Sequence, residues 1–467
     1  MSKKWISFLT CVAVGLIIWF IPVPAGLKPQ AWHLFAIFVA TILGFILQPF
    51  PMGSMAIMAI VIAVFTRTLT IAQGLTGFAN TTVWLIVSAF LFAAGFIKTG
   101  LGRRIAYVIM RRFGDNSLKL AYSLAAANLV LGPVIPSNSA RAGGVLFPIV
   151  KSLCSVFGSE PGPSSRKIGA FLTVVVFQTD LVICAMFLTS MAANPLMAEL
   201  AQKTIGVTIT WNGWFIAAIV PGLISLICTV YAVYRLVTPE VKRTPEATQL
   251  ADNELAKMGP MSIKEKYMTA VFITALLGWI FGSTLKLDGT AVALLGVALM
   301  LLTDVLEWKD VVNNHAAWDI LCWTGTILMM AGFLNTFGLI GWFAKLVGAA
   351  LVGVPWIIAT LAAGVVYMYS HYGFASMSAH VTAMYAALIA VAAATGAPVF
   401  LAAFIVAIAA NLCGCLTNFS TGPAPIYFGA GYTTQAEWWK VGFLMSVMNM
   451  TIWYGVGMVW WKVLGLW

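Results

Sequence analysis

The strongest constraint on the fold is a series of apolar runs, each close to the 20 or so residues that a helix needs to cross a bilayer. They include Trp5–Ile21, Ala31–Leu47, Thr82–Ile105 and Trp211–Leu236. Of the 467 residues, 61% are hydrophobic and only 9% are charged, whereas soluble domains carry about 25% charged residues. The chain is therefore predicted to be an all-α polytopic membrane protein rather than a soluble multidomain protein.

The net charge of +11 comes from basic residues in the segments between the apolar runs. Membrane topology uses Lys and Arg at these positions, so no nucleic-acid partner is indicated. No small-residue cleavage site follows the first run, which is therefore expected to be a spanning helix rather than a signal peptide. We predict a multi-pass protein of the cell inner (plasma) membrane, with about eleven crossings and two re-entrant hairpins. Its N-terminus is expected inside the cell and its C-terminus outside.

Two apolar segments are too long for one crossing and are broken by polar residues in the middle. The first, 118–157, contains Pro136-Ser137-Asn138-Ser139-Ala140-Arg141, and the second, 354–394, contains Ser376-Met377-Ser378-Ala379-His380. Aligned, both read Ser-x-Ser-Ala-cation with the same spacing. Irregular backbone at membrane depth is tolerated only inside protein or beside a watery cavity. Both breaks are therefore predicted to be the tips of re-entrant hairpins that line a cavity.

The two halves of the chain also match outside these hairpins. Thr82-Val83-Trp84 corresponds to Ala316-Ala317-Trp318, and a second pair of interruptions is Thr189-Ser190 and Thr421-Gly422. Each repeat is expected to contain an odd number of crossings, so the two copies should lie in opposite orientations. Inverted repeats with discontinuous helices that meet near the midplane are typical of secondary transporters.

The residue types at the two tips favour binding of a small organic anion. Ser137 and Ser376 are placed to cap the second arm of each hairpin, whose free N–H groups attract negative charge. Hydroxyl groups and the Asn138 amide can donate to carboxylate oxygens, and Arg141 can add a bidentate charge. His380 adds a charge that can change near neutral pH.

Other interpretations of these residues remain open at this point. Serines in membrane helices commonly serve packing, and a single buried histidine is commonly structural. Asp180 lies deep in a predicted crossing, where it could serve proton coupling or act as the structural partner of a cation. Cys413-x-Cys415 lacks the spacing of a zinc site, so no metal or other cofactor is predicted.

The hairpin motifs, together with Met191-Ala192-Ala193-Asn194-Pro195 and Thr421-Gly422-Pro423, resemble the divalent anion/sodium symporter (DASS) family. The likeness is greatest to its 2-oxoglutarate/malate translocators and citrate/succinate antiporters. The resemblance implies a homodimer that works as an elevator, with substrate contacts at the hairpin tips and at the Thr421 break. The substrate-binding candidates are Ser137, Asn138, Ser139, Arg141, Thr189, Ser190, Ser376, Ser378, His380, Thr421 and Gly422.

The same resemblance suggests a division of the chain into domains. Residues 1–117 and 267–353 would form the scaffold, and residues 118–236 and 354–467 would form the mobile transport domain. Residues 237–266 contain the long polar segment of the chain and are predicted to be a cytoplasmic linker.

This sequence departs from the sodium-coupled members of the family at both tips. Those members carry Ser-Asn-Thr in each hairpin and a small neutral residue where Arg141 and His380 stand, and Met377 replaces the second asparagine. Because a fixed cation repels sodium, we predict sodium-independent exchange of C4/C5 dicarboxylates such as 2-oxoglutarate, malate, succinate and fumarate.

Three alternatives to this exchanger can be stated. The first is a sodium- or proton-coupled symporter of di- or tricarboxylates such as citrate or tartrate, and the second is an anion channel. An enzyme is disfavoured because the sequence has no His-Glu-x-x-His, no Gly-x-Ser-x-Gly and no P-loop motif.

Overall fold

The computed structural model describes residues 2–351 and 353–467, and within these ranges it contains helices and no β-strand. In chain order the α-helices are α1 Lys3–Phe20, α2 Pro29–Leu47, α3 Met52–Phe65, α4 Ile71–Leu75, α5 Thr81–Thr99, α6 Leu101–Phe113, α7 Ser117–Leu131, α8 Phe147–Val156, α9 Gly169–Met186, α10 Ala193–Ile205, α11 Trp211–Leu236, α12 Pro245–Met258, α13 Ile263–Ile280, α14 Gly282–Leu285, α15 Gly289–Leu302, α16 Trp308–Val312, α17 His315–Thr336, α18 Leu339–Ala350, α19 Trp356–Ser370, α20 Met377–His380, α21 Ala386–Ala394, α22 Val399–Leu412, α23 Ala424–Gly429 and α24 Gln435–Val463. Short 3₁₀ turns are Thr76–Ala79, His371–Gly373 and Cys413–Cys415, and π-helical segments are Ser139–Leu146 and Val381–Tyr385.

Several of these helices have the length and composition of membrane spans. Among the described residues, eight do: α1, α2, α5, α9, α11, α17, α24 and the continuous helix Met377–Ala394. Shorter apolar helices include α3, α7 and α15. The predicted all-α polytopic membrane fold is confirmed, whereas the number of crossings and the inverted orientation of the repeats stay predictions.

Most breaks in the helices fall where the sequence predicts them, but two crossings are shorter than expected. The run Thr82–Ile105 was expected to be one helix, but α5 ends at Thr99 because Gly100 adopts a left-handed conformation with φ 76°. A second long apolar run, 316–347, from which the sequence predicts one crossing, is divided in the same way at Gly338, where φ is 91°. Glycine adopts this conformation without the steric cost that a Cβ atom would bring.

The chain forms two compact units, and the first consists of Met1–Val87, Ala193–Ile209 and His315–Ala410. In this unit α17 packs against α2, α3 and α4. The second hairpin, formed by α19 and α21, packs against α10 and α18. This unit therefore holds the second of the two polar motifs.

The second unit consists of Ser88–Ala192, Thr210–Asn314 and Asn411–Trp467. At its centre is α9, and every residue of this helix is buried. It packs against α7, α8, α11 and α23. A continuous apolar helix buried on all sides lies in the core of the unit rather than at its surface. The first hairpin, formed by α7 and α8, packs on this central helix. The scaffold and transport domains expected from the sequence stay predictions.

Candidate functional site

The tip of the first hairpin is a non-helical segment between α7 and a π-helical turn. Helix α7 ends at Leu131, and Pro133 and Pro136 each lack the N–H group needed to continue it. The second arm then starts at Ser139. The Ser137 hydroxyl accepts a hydrogen bond from the Ala140 N–H at 3.2 Å, which is the capping contact expected from the sequence.

Arg141 projects from this second arm into the core of the second unit, where its side chain is completely buried. A guanidinium group has five N–H donors, and each of them points at an acceptor of the protein. The acceptors are Asn128 Oδ1 at 2.8 Å from Nε, the carbonyl oxygens of Ile135 at 2.6 Å and Ser190 at 2.8 Å from Nη1, and Asp180 Oδ1 at 2.8 Å and Cys184 Sγ at 3.2 Å from Nη2.

Asp180 is the ion-pair partner of Arg141, and its side chain is completely buried as well. Its Oδ1 atom also accepts a hydrogen bond from Asn128 Nδ2 at 3.1 Å. Of the two roles left open for Asp180, this geometry supports the structural partner of a cation. Asn128 is not among the site residues predicted from the sequence. The feature that could have identified it is a side-chain amide within the apolar run of α7.

The contacts of Arg141 bear on its predicted role in substrate binding. Its charge is compensated by Asp180, and its donors are already used within the protein. It links the hairpin tip, through Ile135, to the helix break at Ser190. Arg141 therefore holds these two segments together, and its direct contact with a substrate stays a prediction.

The hairpin tip meets the second broken segment of the same unit. Asn138 Nδ2 donates to Thr421 Oγ1 at 2.8 Å, across 283 residues of sequence. A Cβ atom at Gly422 would overlap the Ser139 hydroxyl, so a larger residue here would require the Ser139 side chain to move. Ser137 and Ser139 are half-buried and Gly422 is exposed. The structure thus brings together five of the predicted site residues, and three of them are accessible.

Thr189 and Ser190 lie in the break between α9 and α10, and their hydroxyl groups bind the backbone. Thr189 Oγ1 donates to the Pro133 carbonyl and accepts from Trp211 Nε1 at 3.0 Å. At the end of α9, Ser190 Oγ lies 2.6 Å from the Cys184 carbonyl oxygen and 2.7 Å from the Phe187 carbonyl oxygen. Both residues stabilise the break, and a substrate contact by either stays a prediction.

The tip of the second hairpin belongs to the first unit and contains Ser376, Ser378 and His380. Ser376 caps α20 by accepting a hydrogen bond from the Ala379 N–H at 3.3 Å, as expected. Ser378 is half-buried, whereas the His380 side chain is completely buried.

Within its unit, the His380 side chain lies among a second histidine, a serine hydroxyl and two aromatic rings. Its Nδ1 atom lies 2.9 Å from Nδ1 of His371, and its Nε2 atom lies 2.9 Å from Ser370 Oγ. The rings of Tyr367 and Phe374 lie against it, with centroid distances of 3.9 and 4.2 Å. The pairing with His371 is not predicted from the sequence. The expected pH-dependent charge of His380 stays a prediction.

Both hairpins share a further feature that the sequence does not predict. The second arm of each hairpin contains a π-helical segment: Ser139–Leu146 in the first hairpin, which includes the end of the motif, and Val381–Tyr385 in the second, which begins directly after His380. Such segments are rare and are frequent at functional sites, because the wider turn redirects side chains and leaves backbone groups free to bind. Each of the two polar motifs therefore lies at the start of a π-helical segment.

The helices and the two broken hairpins define an all-α, multi-pass membrane protein. Residues 2–467 match the family model described as "Sodium:sulfate symporter transmembrane region". The chain therefore belongs to this family, which confirms the resemblance drawn from the hairpin motifs.

Individual relatives agree with this assignment. The chain is 51% identical over 467 residues to "Putative malate transporter YflS" of Bacillus subtilis, covering 100% of this chain and 98% of that protein. It is 35% identical over 484 residues to the "L-tartrate/succinate antiporter" of Shigella sonnei, covering 99% of each. Among solved structures, the YdaH transporter of Alcanivorax borkumensis has a similar fold, with a TM-score of 0.55, 14% identity, and coverage of 86% of this chain and 89% of that one.

Proposed function

We propose that this protein is a secondary transporter that exchanges C4/C5 dicarboxylates such as 2-oxoglutarate, malate, succinate and fumarate without sodium. The observation that carries the proposal is the group of donors at the first hairpin tip, where Ser137, Asn138, Ser139 and Thr421 come together beside a buried cation. Names of the relatives include a malate transporter and a tartrate/succinate antiporter. Both names describe carriers of C4 dicarboxylates.

The surroundings of Arg141 support independence from sodium. Backbone carbonyl groups at unwound helices are the usual ligands of sodium in transporters. Here the carbonyl oxygens of Ile135 and Ser190, together with carboxylate and amide oxygens, accept hydrogen bonds from the guanidinium group. The cation that these oxygens bind is therefore part of the protein, so no ion has to be taken from solution with the substrate.

The donors at the tip also explain why transport would be exchange. A hydroxyl or N–H group that is removed from water without gaining a hydrogen-bond partner costs about 1–3 kcal/mol of free energy. An empty site that crosses the bilayer would leave several such groups without partners, whereas a bound dicarboxylate satisfies them. The return step is therefore faster when a second dicarboxylate is bound.

The mechanism implied by the family resemblance is an elevator in a homodimer. In this proposal residues 118–236 and 354–467 form the mobile transport domain, and residues 1–117 and 267–353 form the scaffold. The N-terminus is cytoplasmic and the C-terminus lies outside the cell.

Sodium-coupled symport is the second candidate function. The family description refers to sodium:sulfate symporters, and this observation favours coupling to sodium and a tetrahedral anion. A symporter would accumulate substrate in empty liposomes when sodium is supplied outside, which an obligatory exchanger does not do.

The substrate class can be tested by competition in proteoliposomes loaded with malate. Uptake of labelled succinate is measured with excess unlabelled 2-oxoglutarate, fumarate, citrate or sulfate outside. We expect the C4/C5 dicarboxylates to compete and sulfate not to compete. Strong competition by sulfate or citrate together with weak competition by fumarate would contradict the proposed substrate class.

A charged substitution at the tip gives a matched pair of variants for this assay. Asn138→Asp puts a negative charge beside Thr421 and should weaken dicarboxylate binding at least tenfold. Asn116→Asp is the control, since Asn116 caps α7 by accepting from the Lys119 N–H, and aspartate caps helices equally well. Equal effects of both variants would show that the tip does not bind the anion.

A further inference from the structure

Helix α10 is joined to its neighbours in the first unit by two charged side chains. These are Glu199 and Lys203, whose side chains are 20% and 23% exposed. Glu199 Oε1 accepts a hydrogen bond from Asn80 Nδ2 at 2.8 Å, and Glu199 Oε2 accepts one from Thr82 Oγ1 at 3.0 Å. Asn80 and Thr82 lie at the start of α5. The carboxylate therefore fixes α10 to the first turn of this helix.

Lys203 makes the corresponding contact with α17. Its Nζ atom donates to the Leu328 carbonyl oxygen at 2.9 Å. This oxygen lies in the middle of a helix, and it can accept a second hydrogen bond because a carbonyl group has two lone pairs. A Cβ atom at Gly332, one turn later, would lie 3.5 Å from Lys203 Nζ, so a longer side chain there would compete for this space. Asn335 Nδ2 also donates to the Lys203 carbonyl oxygen at 2.5 Å.

Within the proposed scaffold, α17 makes a contact of a different kind. The 3₁₀ turn Thr76–Ala79 packs on α17 so closely that a Cβ atom at Gly77 would overlap the backbone of Gly325. Backbones packed at this distance exclude water and cannot slide past one another. The polar groups that join α10 to α5 and α17 are partly exposed, and on separation they can form hydrogen bonds with water instead.

The charges of α10 also stay paired when the helix leaves its neighbours. Glu199 and Lys203 are four residues apart, and Glu199 Oε1 lies 3.4 Å from Lys203 Nζ. Side chains at this spacing face each other on a helix, and glutamate before lysine is the favourable order. Separation would therefore leave an ion pair on the surface of α10 rather than two isolated charges. Contacts of this kind can be broken and formed again.

We propose that Glu199 and Lys203 form a latch that holds α10 on α5 and α17 and that opens in each transport cycle. This inference rests on the elevator mechanism proposed above, in which α10 belongs to the mobile transport domain and α5 and α17 belong to the scaffold. Movement of α10 past the scaffold breaks the hydrogen bonds of both charged side chains. Since one hydrogen bond to a charged group changes an equilibrium constant about tenfold, the latch sets the fraction of molecules in this conformation.

A reducible cross-link between α10 and α17 tests whether these helices separate. In Lys203→Cys/Asn335→Cys, a short bis-methanethiosulfonate joins the two thiols, and exchange of succinate for malate is measured in proteoliposomes. We expect the cross-link to lower exchange at least tenfold and a reductant to restore it. Gln30→Cys/Thr68→Cys is the matched control, because Gln30 Nε2 donates to the Thr68 carbonyl oxygen at 2.7 Å within the proposed scaffold. Its cross-link should change exchange less than twofold.

A distance measurement tests the charge of the latch without transport. Spin labels on cysteines at Gln202 and Thr336, which are exposed on α10 and α17, report the separation of the two helices by electron paramagnetic resonance. We expect Lys203→Gln to raise the ratio of long to short distances about tenfold. Lys257→Gln is the control, since Lys257 pairs with Glu254 on the separate helix α12, and it should leave the distances unchanged.

The outcomes distinguish the latch from the proposed function. Undiminished exchange by the cross-linked protein, failure of the cross-link to form, or unchanged distances in Lys203→Gln would each overturn the latch. Exchange by the reduced protein would still support dicarboxylate exchange in those cases. If neither the wild type nor the reduced variant exchanges succinate for malate, the proposed function is contradicted, and the distances still test the latch.

Discussion

The buried pair of Arg141 and Asp180 makes a quantitative prediction about folding. Both side chains are completely inaccessible, and their charged atoms are 2.8 Å apart. Removing one partner of such a pair leaves an uncompensated buried charge, which costs about 3–5 kcal/mol. Asp180→Asn should therefore destabilise the protein by about this amount, and Arg141→Gln should do the same.

The double variant distinguishes an ion pair from two independent contributions. Arg141→Gln/Asp180→Asn contains no buried charge at this place, and neutral replacements of buried pairs are often tolerated. We expect it to lose less than either single variant, so the two effects will be far from additive. The measurement is equilibrium unfolding of the four proteins in mixed micelles with increasing SDS. Additive losses, or single losses below about 1 kcal/mol, would refute the ion-pair reasoning.

Transport by the same double variant separates two roles of the cation. If the charges of the pair serve folding alone, the folded double variant should keep much of its exchange rate. If the protein-borne charge replaces a coupled ion, as we propose, exchange should fall at least tenfold although the protein is folded. Rates in proteoliposomes, corrected for the amount of folded protein, decide between these outcomes.

Two further predictions concern positions with clear contacts. Gly422→Ala should lower exchange at least tenfold because the new methyl group would overlap the Ser139 hydroxyl; Ser139→Ala in the same chain should recover part of the rate, and no loss in the single variant would contradict the close approach. For Glu265, burial alone would raise the pKa, but hydrogen bonds from Arg104 and Ser262 outweigh it, so the pKa of this carboxyl is lowered. A lowered pKa means that the pair stabilises the protein above the unfolded value of about 4.3 and that this stability is lost as the pH falls through the folded value. Near neutral pH, Glu265→Gln should therefore have a free energy of unfolding about 2 kcal/mol below that of the wild type, and this difference should vanish in acid. A difference that stays constant with pH would show that the carboxylate charge is not responsible.

The elements of the fold follow closely from local sequence signals. Helix α11, for example, has the predicted bounds Trp211–Leu236. The hairpin tip and the break after α9 were predicted from proline, glycine and polar residues inside apolar runs. Such signals act over a few residues and can be read without knowledge of the tertiary structure.

The partners of the site residues could not be predicted in the same way. Arg141 and Asp180 are 39 residues apart, and Asn138 and Thr421 are 283 residues apart. No periodicity connects such positions, because the packing of whole helices brings them together. The sequence therefore identified Arg141 as a cation of the tip and offered Asp180 as a possible partner of a cation, but it did not connect these two residues.

At the boundary between α5 and α6, the local sequence signal predicts a helix that is too long. The apolar run continues through Gly100 to Ile105, so hydropathy alone extends the crossing. The left-handed conformation of Gly100 ends it, and an isolated glycine in a membrane helix does not require that conformation. The change of direction depends on the packing of α6 against α7 and α12.

In the proposed mechanism, a cation built into the protein replaces a coupled ion, so that transport is obligatory exchange. The most direct test is uptake of labelled succinate into proteoliposomes that are either empty or loaded with malate, each with and without a sodium gradient. We predict rapid uptake into loaded vesicles, little uptake into empty vesicles, and no effect of sodium on either. Robust uptake into empty vesicles driven by sodium would contradict obligatory, sodium-independent exchange.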